Sequence, residues 1–152
     1  MLNSLRRFFG LDAERKRLFL QAYAELGLVR HALRTTSFKR LTQGLTLHRA
    51  PFGPATPGPA DEALAERVGW AVRAASRYTP WSSTCLVQVL AAQRMLQKRS
   101  IPGAFYIGAA PGNGAPDKVG LAAHAWLKCG EQFITGEAGH QHYTVVSTFS
   151  WP

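Results

Sequence analysis

Apolar residues recur at three- and four-residue intervals in the first part of the chain, and this spacing predicts amphipathic helices. The first helix is predicted from Asp12 to Leu33, with Asp12 as its N-cap, and a shorter helical piece follows around residues 38–45. Residues 50–60 contain four prolines and two glycines, which neither helix nor strand tolerates. We therefore interpret residues 1–50 as a helical extension and residues 51–60 as a linker.

The helical period continues after this linker. Residues 61–78 carry an apolar stripe that predicts a second helix, ending where Pro80 disfavours helical backbone in the residue before it. A third helix runs to about Arg99, and Ser82 or Ser83 is its predicted cap. Cys85 therefore falls in the first turn of this helix.

From position 100 onward the hydrophobic period changes from helical to two, which indicates strands. The predicted strands are residues 104–109, 121–129, 132–135 and 142–149. Helices followed by strands joined by short turns are typical of an α+β fold, with the helices on one face of an antiparallel sheet. Residues 61–152 form the predicted core of this fold.

Composition is consistent with one globular domain. The chain has 152 residues, of which 46% are hydrophobic, and no segment is long and apolar enough to predict a signal segment or a membrane span. We therefore expect a soluble protein. Two cysteines cannot build a disulfide framework, so we expect a reducing cytoplasm as its compartment.

The positive charge is concentrated at one end of the chain. The net charge is +9, and the first 50 residues hold ten Lys and Arg against three Asp and Glu. Such a face suits an acidic peptide, an acidic protein, anionic lipid or nucleic acid, and charge alone does not choose among these partners or exclude a merely solvated surface.

Cys85 and His124 are the candidate nucleophile and general base. A cysteine in the first turn of a helix meets unpaired N–H groups and the positive end of the helix dipole, which favour the thiolate. His124 lies 39 residues later, inside a predicted strand. The alternative for Cys85 alone is an ordinary buried cysteine, since free cysteines are among the most buried residues.

A hairpin turn at Gly130-Glu131 relates His124 to a carboxylate and separates it from the second thiol. The resulting register pairs Cys129 with Gln132, Leu127 with Ile134, Trp126 with Thr135 and His124 with Glu137. Opposed residues have Cβ atoms ~5 Å apart, so Glu137 would hold the imidazole in one tautomer. Cys129 falls on the other face of the sheet and is the predicted core cysteine. A one-residue shift would break the pairing with Glu137.

Several segments of the core resemble the transglutaminase-like leader peptidases of lasso-peptide biosynthesis. The matching residues are Trp70-Ala-Val-Arg-Ala-Ala-Ser-Arg-Tyr-Thr-Pro-Trp81, Cys85-Leu86, Leu96, Ile101-Pro102, Tyr106-Ile-Gly108 and His124-Ala-Trp126. The resemblance covers about residues 64 to 149 and, more loosely, 18 to 45. It implies a papain-type cysteine protease fold with Cys85 as nucleophile and His124 as base. The third member in that family is more often Asp; Glu137 is the nearest match here, and Asp117, in a Gly/Pro loop, is a weaker one.

The resemblance also implies an activity and partners. The enzyme would remove the leader from a ribosomally made precursor peptide, after which a separate ATP-dependent cyclase closes the macrolactam. The short chain fits the split form of the system, which lacks its own recognition domain and relies on a separate leader-recognition protein. We expect Arg15, Lys16 and Arg17 of the basic extension to contact the leader or that protein.

Other candidate groups complete the predicted site. The backbone N–H of Cys85 is the expected donor to the oxyanion, and Trp81 and Trp126 are expected in the core or on the wall of the substrate groove. His140 and His142 lack a third and fourth ligand, so we expect no metal. No phosphate-binding glycine loop occurs, and we expect neither a nucleotide nor another cofactor.

Two alternatives to a peptidase stay open. An acyl transferase or amidase would use the same cysteine and histidine, whereas a basic binding module for nucleic acid or an anionic surface would need neither residue. Nucleic acid is not among the partners that we expect.

Overall fold

The computed structural model describes residues 1–50, 52–53, 55–111 and 121–152. Its helices are α1 (Leu2–Phe9), α2 (Ala13–Thr35), α3 (Phe38–Leu41), α4 (Pro59–Ser76) and α5 (Cys85–Lys98). Its strands are β1 (Thr46–His48), β2 (Gly103–Pro111), β3 (Leu121–Cys129), β4 (Gln132–Thr135) and β5 (Thr144–Trp151), and a short 3-10 helix, His140–His142, precedes β5.

The strands form one antiparallel sheet in the order β1-β5-β2-β3-β4. One face of this sheet, which carries Phe105, Leu127 and Phe149, packs with residues of α2, α4 and α5 in a single hydrophobic core. The α+β prediction is therefore confirmed. The last strand begins at Thr144 rather than at residue 142, because His142 lies in the 3-10 helix.

Helix ends follow local capping chemistry. The Asp12 carboxylate accepts a hydrogen bond of 2.8 Å from the Arg15 amide, which confirms the predicted cap of α2. Helix α4 begins at Pro59, two residues before the predicted start, because proline fits the first helical position after Gly58. Helix α3 stops at Leu41, and the predicted extension to residue 45 is wrong.

Helix α2 belongs to the same core as the C-terminal part of the chain. Leu18, Ala22, Leu26 and Val29 are each no more than 3% exposed and pack with residues of α4 and α5. The helix of the predicted extension is therefore a structural part of the fold that holds the site.

A buried carboxylate adds a specific contact between α2 and α5. Glu25 is 3% exposed and accepts hydrogen bonds from Arg94, at 2.7 Å, and from Lys98. Burial alone would raise the pKa of Glu25, but these two hydrogen bonds and the charges of both partners outweigh it and lower the pKa. Glu25 is therefore held as an anion between two cations.

Helix α1 and strand β1 lie outside the predicted elements. Helix α1 has no buried residue, and Leu2, Leu5 and Phe9 are 78%, 50% and 68% exposed. Strand β1 has only three residues and pairs with β5 at the edge of the sheet. None of the described helices combines the length and apolarity needed to cross a bilayer.

Candidate active site

Cys85 is the first residue of α5. The cap is Thr84, whose hydroxyl accepts from the Val87 amide at 3.4 Å, and the prediction of Ser82 or Ser83 as cap is wrong by one or two positions. The Thr84 carbonyl accepts a hydrogen bond from the Gln88 amide, while the amides of the first helical residues have no acceptor within the helix. The Cys85 thiol thus lies beside helix-start N–H groups, which favour negative charge.

Hydrogen bonds from two helices fix the loop before Cys85. Arg30 of α2 donates through Nη1 to the Ser82 carbonyl at 2.7 Å, and Gln88 of α5 donates through Nε2 to the Ser83 carbonyl at 3.0 Å. The Thr79 and Ser83 hydroxyls lie 2.8 Å apart. Because two helices and a hydrogen bond within the loop hold this segment, the position of the thiol is set by tertiary contacts as well as by the helix cap.

His124 lies within β3 with one ring nitrogen already bonded. Its Nε2 is 2.7 Å from the Gly136 carbonyl oxygen, just beyond the end of β4. A carbonyl oxygen only accepts hydrogen bonds, so Nε2 must carry the proton. In the neutral ring Nδ1 then keeps a lone pair, which is the form required of a general base.

Two aromatic rings pack against the imidazole of His124. The ring centroid of His124 is 5.8 Å from that of Trp126 and 5.2 Å from that of Tyr143. Gly108 pairs with His124 across the sheet, and a Cβ there would lie 2.7 Å from the Tyr143 Cβ and 2.8 Å from the Trp126 ring. The glycine therefore makes room for the rings that orient His124.

The β3–β4 register differs from the predicted one. Cys129 pairs with Gln132 as predicted, but a bulge intervenes and Leu127 pairs with Thr135, so the predicted pairs Leu127 with Ile134 and Trp126 with Thr135 are wrong. Ile134 is the extra residue, and such a residue shifts everything beyond it by one position. The described pairs of β3 and β4 end at Leu127 and Thr135, so they do not include the predicted pair of His124 with Glu137, and the His124 Nε2 meets the Gly136 carbonyl oxygen instead.

Cys85 and His124 line one cleft. The cleft has a volume of about 500 Å³, and its described lining consists of Arg73, Cys85, Gln88, His124, Gly136, Glu137 and Ala138. A helix start and a strand thus present a thiol and an imidazole to the same space. Glu137 lies in the wall of this cleft, and its role as third member of a triad stays a prediction.

Arg73 and Gly136 are site residues that the sequence analysis does not identify. Arg73 flanks the apolar stripe of α4, where basic residues usually face only solvent, and Gly136 follows a strand in an ordinary turn sequence. Gly136 has φ +77°, and a Cβ there would lie 2.3 Å from the Ala125 carbonyl oxygen. A glycine directly after a predicted strand is the signal that points to such a close backbone approach.

The second thiol lies in the core. Cys129 is 1% exposed, and burial raises the pKa of its thiol to about 12. This confirms the prediction that Cys129 is a core residue and leaves Cys85 as the thiol at the cleft.

The two tryptophans predicted at the groove are not among the described lining residues of the cleft. Trp81 packs on Tyr23 of α2, with ring centroids 5.4 Å apart. Trp126 is 4% exposed and stacks between Tyr106 and His124. Contact of Trp81 or Trp126 with a substrate stays a prediction, and Asp117 lies outside the described residues.

The described residues contain no cluster of three or more His, Cys, Asp and Glu side chains that could hold a metal ion. His140 and His142 lie in the 3-10 helix rather than on one strand. The His140 Nδ1 is 2.7 Å from the Glu137 carbonyl oxygen, and its ring packs near Trp126 and Phe133. His140 thus has a structural contact with the segment that forms the cleft wall.

An α+β fold that brings a helix-start cysteine and a strand histidine to one cleft defines a class of cysteine-dependent acyl-transfer domains. A protein-family model described as the transglutaminase-like superfamily matches residues 26–148. The chain belongs to this superfamily, whose members are usually enzymes with cysteine protease or acyltransferase chemistry. Neither the search of curated proteins nor the search of solved structures found a match.

Proposed function

We propose that the protein is a cysteine endopeptidase that removes the leader from a ribosomally synthesised lasso-peptide precursor before macrolactam cyclisation. The observation that carries the proposal is the shared cleft of Cys85 and His124, with the Nε2–H of His124 held by the Gly136 carbonyl. The superfamily includes several kinds of enzyme. The segments around Cys85 and His124 resemble lasso-peptide leader peptidases, and this resemblance supports a precursor peptide as the substrate.

The reaction follows from the free lone pair on Nδ1. His124 accepts the thiol proton of Cys85, and the thiolate attacks the scissile carbonyl carbon to form a tetrahedral adduct. The backbone N–H of Cys85 is the expected donor to its oxyanion. His124 then returns the proton to the departing amine, and water hydrolyses the leader thioester. Glu137 is the candidate third member, whose negative charge would stabilise the protonated imidazole together with the Gly136 carbonyl.

Partner binding is proposed for the basic surface of α1 and the start of α2. Arg15 lies 3.8 Å from Asp12 and 5.4 Å from the Trp70 ring centroid, and Lys16 lies 5.8 Å from the Phe9 ring centroid, whereas Arg17 is exposed. The exposed apolar side chains of α1 lie on the same part of the chain, and exposed apolar residues next to charges are typical of interaction surfaces. We propose that this surface contacts the leader or its recognition protein.

The direct test incubates the purified chain with precursor and recognition protein and follows the products by mass spectrometry. Wild type and Cys129→Ala should give two hydrolytic fragments, whereas Cys85→Ala should give none. Cleavage by Cys85→Ala at the wild-type rate would refute the mechanism. An acyl transferase would instead join the acyl group to an added amine.

The binding surface has its own test. Neutralising Arg15, Lys16 and Arg17 together should weaken binding of the leader or recognition protein, measured by calorimetry, while neutralising Arg34, Lys39 and Arg40 serves as a control of equal charge. Equal loss in both variants would indicate non-specific electrostatics. Binding of nucleic acid that falls steeply with salt and survives Cys85→Ala would favour the basic binding module.

A further inference from the structure

The edge strand of the sheet carries an unpaired residue that α4 holds in place. Strand β4 has four residues and, among the described strands, pairs with β3 alone. Ile134 has no partner in this pairing, because Leu127 is opposite Thr135 and Lys128 is opposite Phe133. The Ile134 carbonyl accepts a hydrogen bond from Nη1 of Arg73, so a side chain of α4 takes the place of a strand partner.

Helix α4 approaches the Ile134 carbonyl closely because Gly69, one helical turn before Arg73, has no side chain. A Cβ on Gly69 would lie 2.7 Å from the Ile134 carbonyl oxygen and 2.9 Å from the Ile134 Cγ2. Gly69 and Arg73 are four residues apart and therefore lie on the same face of the helix. Gly69 and Arg73 together form the binding site of Ile134 on α4. Gly69 lets the Ile134 backbone approach the helix, and Arg73 donates a hydrogen bond to its carbonyl.

Ile134 lies two positions before Gly136 in the chain, with Thr135 between them, and the Gly136 carbonyl binds the His124 imidazole. Two residues of chain span at most ~7 Å, so displacement of Ile134 is transmitted to Gly136 with little slack. Gly136 itself is confined by the Ala125 carbonyl and by its positive φ of 77°. Its carbonyl is the atom that binds Nε2 of His124.

We propose that Arg73 is a positioning residue for catalysis: by binding the Ile134 carbonyl it sets the Gly136 carbonyl that orients the imidazole of His124. This inference rests on the proposed function, since it assigns Arg73 a part in the same Cys85–His124 chemistry. Arg73 does not need to touch the substrate in this role.

The charge of Arg73 is the competing explanation for any effect of its loss. Arg73 also lines the cleft, and the charges of Glu66 and Glu137 act on its guanidinium. Arg77 directly follows the last residue of α4, four positions after Arg73, and carries the same charge without the bond to Ile134. Arg77→Met therefore removes a nearby charge and serves as the matched control for Arg73→Met, while Arg73→Lys keeps the charge and a donor.

The experiment combines kinetics of precursor cleavage with an NMR measurement of the His124 ring in labelled protein. Wild type and Arg77→Met should show a hydrogen-bonded Nε2–H resonance. Arg73→Met should lose this resonance, and its kcat should fall roughly 10- to 100-fold with KM changed less than about 3-fold, because misplaced catalytic groups lower the rate of the chemical step. Arg73→Lys should recover most of both signals.

An unchanged His124 resonance and kcat in Arg73→Met would overturn the proposal, and so would an equal fall of kcat in Arg77→Met. If Arg73→Met does not fold, Gly69→Ala displaces the same carbonyl from the neighbouring turn, and an unchanged resonance there would count equally against it. The NMR arm needs no substrate. A wild-type protein that shows the resonance and its loss in Arg73→Met, but cleaves no precursor, would refute the proposed function and leave the positioning role supported.

Discussion

Replacing Gly136 by alanine should damage both stability and activity, and a second glycine in the same conformation provides the control. Gly136 and Gly139 have φ of +77° and +80°, so an alanine at either position costs roughly 1–2 kcal/mol in the left-handed region. Only Gly136 has close neighbours: a Cβ there would lie 2.3 Å from the Ala125 carbonyl oxygen, whereas nothing lies within 4 Å at Gly139.

The close contacts at Gly136 are backbone atoms and the Trp126 Cβ, which cannot move aside as a flexible side-chain end could. Overpacking of this kind adds about 1–3 kcal/mol. Gly136→Ala should therefore lower the free energy of unfolding by roughly 2–5 kcal/mol and Gly139→Ala by roughly 1–2 kcal/mol. Relief of the clash by moving the Gly136 carbonyl would weaken its hydrogen bond to His124.

Urea unfolding and precursor cleavage measure the two effects. Loss of a hydrogen bond to a group that becomes charged is worth about 1.5–3 kcal/mol, which corresponds to a roughly 10- to 150-fold fall in kcat/KM for Gly136→Ala. Gly139→Ala should stay within about 3-fold of wild type, since Gly139 is not among the described lining residues of the cleft and a Cβ there meets nothing within 4 Å. Equal losses of stability and activity in the two variants would refute the assignment of the Gly136 carbonyl.

Three further predictions concern groups outside the catalytic pair. Burial raises the pKa of Cys129 from an ordinary value near 9 to about 12, so its contribution to stability is fully present below about pH 9 and falls by up to roughly 1.4 kcal/mol per pH unit above it. Cys129→Ala should therefore flatten the alkaline unfolding curve, and parallel curves for the two proteins would contradict this. Because the pKa of Glu25 is lowered, its stabilisation is present above pH 4.5 and is lost as the pH falls. Glu25→Gln should lower the free energy of unfolding in urea by about 1–3 kcal/mol at neutral pH and by less in acid. A loss that does not depend on pH would exclude the ion pairs as its source. Thr84→Ala should destabilise the fold by about 0.5–2 kcal/mol as a lost N-cap, while Ser82→Ala should stay within about 0.5 kcal/mol in thermal unfolding; the reverse order would restore Ser82 as the cap.

Local patterns were sufficient for much of the fold. The helix capped by Asp12 and the turn at Gly130-Glu131 depend on neighbouring residues, and both are present as predicted. The burial of Cys129 was predicted from the alternation of side chains between the two faces of β3, and Cys129 lies between the turn and the bulge, where the predicted register is correct. These features need only periodicity, capping and turn chemistry.

Other features depend on contacts distant in sequence. Strand β1 has three residues and pairs with β5 about a hundred positions later, so its own pattern is too short to predict it. The bulge at Ile134 accepts a hydrogen bond from Arg73, 61 positions away, and it breaks the register from which the pairing of His124 with Glu137 was predicted. Ser82, Ser83 and Thr84 have similar capping tendencies, so the sequence alone could not choose the cap of α5.

The most direct test of the account is to identify the residue that becomes acylated during cleavage. Precursor, recognition protein and enzyme are mixed, quenched in acid, digested and mapped by mass spectrometry. We expect a leader thioester on Cys85 that is absent in His124→Ala, because the imidazole must accept the thiol proton. An adduct on Cys129, or cleavage that persists in Cys85→Ala, would contradict it.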